Sequence, residues 1–79
     1  MIVGVKILPR KEVLDTQGRA VEDTLKAHGK AVQACRVGKY VRLDLSVQTR
    51  EQALNKAKEI AEFVLCNPLI ETFELEILE

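Results

Sequence analysis

The sequence predicts an α+β fold, a ferredoxin-like β-α-β-β-α-β two-layer sandwich with a four-stranded sheet and two helices on one face. Three observations predict it. Apolar residues alternate with polar ones in three short runs, they recur at helical spacing in two longer runs, and Gly, Pro and Asn separate the runs. Ile2 to Leu8 is the first strand: Val3, Val5 and Ile7 alternate with Gly4 and Lys6, and Pro9 ends the ladder because it has no N–H. Asp15 then suits the N-cap of a helix in which Val21, Leu25 and His28 share a face, with Gly29 closing it. Val32 to Val37 and Tyr40 to Val47 form a hairpin around Gly38-Lys39, where glycine can take a positive φ. A bulged turn is expected there, since it faces Cys35 and Val37 inward and keeps Arg36 out of the core. Thr49 and Gln52 make a capping box for a second helix over 50–65, with Ala53, Ala57, Ile60, Ala61 and Val64 on its inner face. Asn67-Pro68 stops that helix, and Phe73, Leu75 and Ile77 alternate with Thr72, Glu74 and Glu76 in the last strand. In this topology the last strand lies beside the first, which brings Glu74 and Glu76 toward Lys6.

Length and charge limit what such a chain can do. Residues 1–79 are expected to form one domain, and a core of this size supplies only about 3 to 5 kcal/mol, so association with other copies or partners is the expected source of further stability. Twelve basic and twelve acidic side chains cancel, which removes the general phosphate attraction of a nucleic-acid binder. Within the chain the charge is split, ten Lys/Arg against five Asp/Glu in residues 1–50 and two against seven thereafter, and a fold that joins the ends neutralises it. No apolar stretch approaches the ~20 residues of a membrane span, and the amino terminus reads as a strand rather than a signal peptide, so a cytoplasmic protein is expected.

None of the residues assembles a reactive site. The loop after the first strand has neither thiol nor imidazole for a metal, and Tyr40, Phe63 and Phe73 do not supply the stacking aromatics of an RNA-recognition module. His28 lies in the last turn of a helix, where a cation is favoured, without a nucleophile or orienting carboxylate. Cys35 and Cys66 lack the surroundings of a reactive thiol. Gly38-Lys39 leads into a strand and is no phosphate loop. Arg10 with Lys11, and Arg36 with Lys39, can face either solvent or an anionic surface, and composition leaves both open.

Four runs in order carry a resemblance: residues 11–18 (KEVLDTQG), Arg36-Val37-Gly38-Lys39, the Ala-rich second helix, and Asn67-Pro68-Leu69-Ile70-Glu71. Together they resemble the PurS family, small subunits of phosphoribosylformylglycinamidine synthase. Thr16 stands where the family usually has proline, and both residues suit the first position of a helix. The resemblance implies a non-catalytic subunit of a purine-biosynthetic ligase, bridging a PurQ-type glutaminase and a PurL-type synthetase and assisting ammonia transfer. It implies a homodimer or homotetramer, no cofactor bound by this subunit, and ATP, Mg and glutamine used by the complex. Partner contacts are then assigned to Asp15, Gln17 and Gly18 at the start of the first helix, to Arg36, Gly38, Lys39 and Tyr40 in the hairpin, and to Asn67 and Pro68. The same residues also serve as cap, turn and stop. Two other readings share the topology, an ACT-type module binding a small molecule between protomers and an acyl-phosphate hydrolase using Arg10.

Overall fold

The computed structural model describes residues 1–79. β1 (Ile2–Pro9) is the central strand, flanked by β2 (Lys39–Asp44) and β3 (Glu71–Ile77) in the order β2-β1-β3, with both pairs antiparallel. α1 (Thr16–Ala27) follows β1, and α2 (Arg50–Ile60) follows β2. The register aligns the apolar side chains as their alternation predicts. Val3 lies between Leu43 and Ile77, and Val5 between Val41 and Leu75. Ala53, Ala57 and Ala61 close over this face, and their small side chains let α2 settle directly on Val3, Val5 and Ile7, all of them fully or almost fully buried.

The capping residues act as expected. Asp15 caps α1 through the Gly18 N–H, and Gly29 leaves the helix at a φ of 75°. Thr49 Oγ1 accepts from the Gln52 N–H, while the Gln52 side chain reaches back to the Gln48 amide rather than to Thr49. The end of the second helical run departs from α-geometry. Over Ala61–Leu65 the turn widens, the Cys66 N–H bonds to Ala61 five residues back, and Phe63 and Val64 are left in solvent.

Three expectations are corrected. The sheet has three strands, because residues 32–37 pair with no neighbour and no hairpin forms. Their alternation persists, with Cys35 and Val37 half-buried and Arg36 exposed, yet their amides are taken by α1: Cys35 N–H donates to Glu22 and Val37 N–H to Asp15. A ladder needs those same donors. Gly38 has no positive φ. Glycine is required there because a Cβ would collide with the Ile7 carbonyl of β1. Nor do both helices cover the sheet. Neither core cluster contains a residue of α1, and Val21 on its apolar face is 42% exposed. The radius of gyration, 15.5 Å, exceeds the roughly 12 Å of a compact chain of this length.

Candidate functional site

Most of the residues assigned to partner contact gather at one end of the molecule, around the β1–α1 connection. Asp15 anchors it. One carboxylate oxygen accepts from the Gly18 N–H and the other from the Val37 N–H, each at 2.8 Å, so a single side chain caps α1 and pins residues 33–38 against it. These two backbone donors, the Gly18 one foremost, hold the Asp15 carboxyl below the usual range. Gly18 is buried because the Cys35 carbonyl lies where a Cβ would stand. Glu22, one turn further on, bonds Lys26 Nζ and the Cys35 N–H, both at 3.1 Å; the lysine is the main reason its carboxyl is lowered. Gln17 is exposed beside them. Arg36 projects from the pinned segment and donates to the Pro9 carbonyl.

Arg10 links this group to the Asn67-Pro68 turn. Its backbone N–H bonds Ile70 O at 2.8 Å and its Nε bonds Pro68 O at 2.9 Å. Asn67 Oδ1 accepts from Leu69 N–H, and its own N–H donates to Glu71 Oε1, so the turn is closed locally before the arginine reaches it. Lys39 joins from β2, 3.9 Å from Glu71 and 3.5 Å from the Leu65 carbonyl.

Tyr40 stands apart, on the sheet face away from α2. Its ring covers Gly4, where a Cβ would strike the phenol, and its hydroxyl donates to Glu76 at 2.6 Å. That bond raises the Tyr40 hydroxyl and, with Lys6 at 3.2 Å, lowers the Glu76 carboxyl. The expected approach of Glu76 to Lys6 is therefore present. Cys66 is buried, and burial pushes its thiol up. Sequence reasoning missed Arg19 and Glu22. Both look like ordinary charges on a helix surface, and their contribution depends on a segment eleven or more residues away.

The chain matches the family PurS: Phosphoribosylformylglycinamidine (FGAM) synthase over residues 2–79. It belongs to the PurS family. A PurS subunit of phosphoribosylformylglycinamidine synthase from Bacillus subtilis (strain 168) is 35% identical over 78 residues, covering 98% of this chain and 92% of the relative. The crystal structure of the purS subunit from Thermotoga maritima superposes with a TM-score of 0.91 at 28% identity, over 98% of this chain and 90% of that one. A chain in the structure of PurLQS from Thermotoga maritima gives a TM-score of 0.89 at 28% identity, covering 98% and 95%. The likeness extends over nearly the whole of each chain.

Proposed function

We propose that this PurS chain is the small subunit of an FGAM synthase assembly in purine biosynthesis, bridging PurL-type and PurQ-type subunits so that ammonia passes from glutaminase to synthetase. The observation that carries the reading is the near full-length likeness to a chain of the Thermotoga maritima PurLQS structure. The physical role follows from the intermediate. In neutral water ammonia is mostly ammonium, which is no nucleophile, so its transfer benefits from a bridge that excludes bulk solvent. In this reading the chain contributes surfaces rather than reacting groups, with ATP, Mg and glutamine used by its partners in the cytoplasm. Asp15, Gln17, Gly18, Arg36, Gly38, Lys39, Tyr40, Asn67 and Pro68 are its partner contacts.

The chain also assembles with copies of itself, as a homodimer or homotetramer. Support comes from its shape: nine of 79 residues are buried, neither core cluster includes a residue of α1, and Val21 is exposed and Leu25 only half-buried on its apolar face. The ACT-type alternative is not favoured, since the similarity throughout is to PurS. No helix is long and apolar enough to cross a membrane. The test is reconstitution: PurL-type and PurQ-type subunits should recover glutamine-driven synthesis only when this chain is added. Full activity and normal assembly of those two without it would refute the role.

A further inference from the structure

The β1–α1 connection, the first turn of α1 and the pinned segment enclose a cleft of about 270 Å³ lined by Arg10, Lys11, Arg19 and Arg36. The sequence shows these cations as scattered charges in a chain of zero net charge. The fold collects them. None forms an ion pair within 4 Å. Arg10 and Arg36 instead donate to neutral carbonyls, those of Pro68 and Pro9, so neither spends these bonds on a carboxylate. The two carboxylates on the cleft wall, Asp15 and Glu22, are engaged by the amides of Gly18, Val37 and Cys35 and by Lys26. Arg36 feels Asp15 and Arg19 feels Glu22 at longer range, each as a minor contribution to the lowering of that carboxyl. A second hollow on the other side of Arg10, Lys11 and Arg36 adds Glu12 and the Thr72 side chain.

We propose that this cleft binds a phosphate group, as inorganic phosphate or as the monoester of a small molecule, through Arg10, Lys11, Arg19 and Arg36. Convergence from three separate segments matches a compact dianion with several acceptor oxygens better than a single carboxylate, which would neutralise only one of the four. The cleft volume accommodates a phosphate with a small organic substituent, and Val13 and Leu14 offer that substituent an apolar wall. The inference goes beyond the bridging role and can be tested on the isolated full-length chain, so it fails or stands separately from assembly activity.

The experiment is an NMR titration of the ¹⁵N-labelled chain with sodium phosphate at constant ionic strength. Saturable shifts are expected at the Arg10 and Arg36 side-chain N–H signals, with a dissociation constant of about 1 mM or tighter. Arg10→Lys and Arg36→Lys should each weaken binding roughly tenfold through loss of the planar fork. Because these two side chains also hold backbone carbonyls, Lys11→Gln and Arg19→Gln provide the independent check; neither side chain bonds to the rest of the chain, and each should weaken binding while the remaining spectrum stays unchanged. Lys56→Gln and Lys58→Gln on α2 should leave it intact. Tighter binding of ribose 5-phosphate than of inorganic phosphate would establish a monoester site, and equal binding a site for the free ion. A linear, unsaturating drift matched by sodium chloride would overturn the proposal, as would binding of a glutamate-rich peptide with no response to phosphate.

Discussion

The half of the molecule built from the sheet and α2 and the half built from α1 and residues 33–38 use similar sequence patterns to opposite ends. In the first, alternating β-branched residues face a helix whose inner positions are alanine, and the two surfaces close to the point where Val3, Val5, Ala53, Ala57 and Ala61 lose all contact with water. In the second, α1 carries larger apolar residues on one face, yet Val21 remains 42% exposed and the adjoining segment is held by polar bonds from Asp15 and Glu22. One half is stabilised by buried area, the other by hydrogen bonds in contact with solvent. A contact of the second kind contributes less to stability and is more easily exchanged for a partner's surface. The part of this PurS chain that completes its own core is therefore distinct from the part held outside it.

Substitutions should reveal that contrast, beginning with the largest effect. Ile7→Ala, which empties a site beneath α2, should cost about 2 to 5 kcal/mol in chemical denaturation. A loss below about 1 kcal/mol would mean that the sheet half is as loosely packed as the α1 half. Leu25→Glu should leave the chain folded by circular dichroism but reduce its mass in sedimentation to that of a smaller assembly. An unchanged mass would remove α1 from the self-association surface. Asp15→Asn should speed amide exchange at Gly18 and Val37 while exchange in β1 stays slow, and equal acceleration in both would show the halves to be cooperative.

Acid should act in the same direction as that substitution. The Asp15 carboxyl is lowered on folding, so its contribution is complete above the ordinary aspartate value of about 3.9 and is lost as pH falls below that toward the folded value. Protection of the Val37 amide should decline over that acid range, and the decline should vanish in Asp15→Asn. The smallest effect is expected on the sheet face opposite α2. Tyr40→Phe removes the chief influence lowering the Glu76 carboxyl, which should move up toward its ordinary value in an NMR titration while stability scarcely changes.

Elements governed by neighbours in sequence were legible. The strand periods of β1, β2 and β3, the caps at Asp15 and Thr49 and the stop at Asn67-Pro68 depend on φ/ψ preferences and side-chain reach within a few residues. The local roles of the residues assigned to partner contact, as cap, turn and stop, were legible, but their grouping was not: Tyr40 follows Lys39 directly and lies on the other sheet face, whereas Arg10 and Pro68, 58 residues apart, meet through a 2.9 Å bond.

Sequence by itself determined that the chain is α+β and which residues of β1, β2, β3 and the start of α2 face its core, because those properties follow from periodicity and residue chemistry; it did not determine that Val21 and Val64 stay exposed. Tertiary structure alone decided that residues 32–37 leave the sheet, that α1 stands off it, and that four arginine and lysine side chains share one cleft. The Cys35 and Val37 amides could join a strand or a carboxylate. Only the folded position of α1, with Asp15 and Glu22 in reach, selects between them.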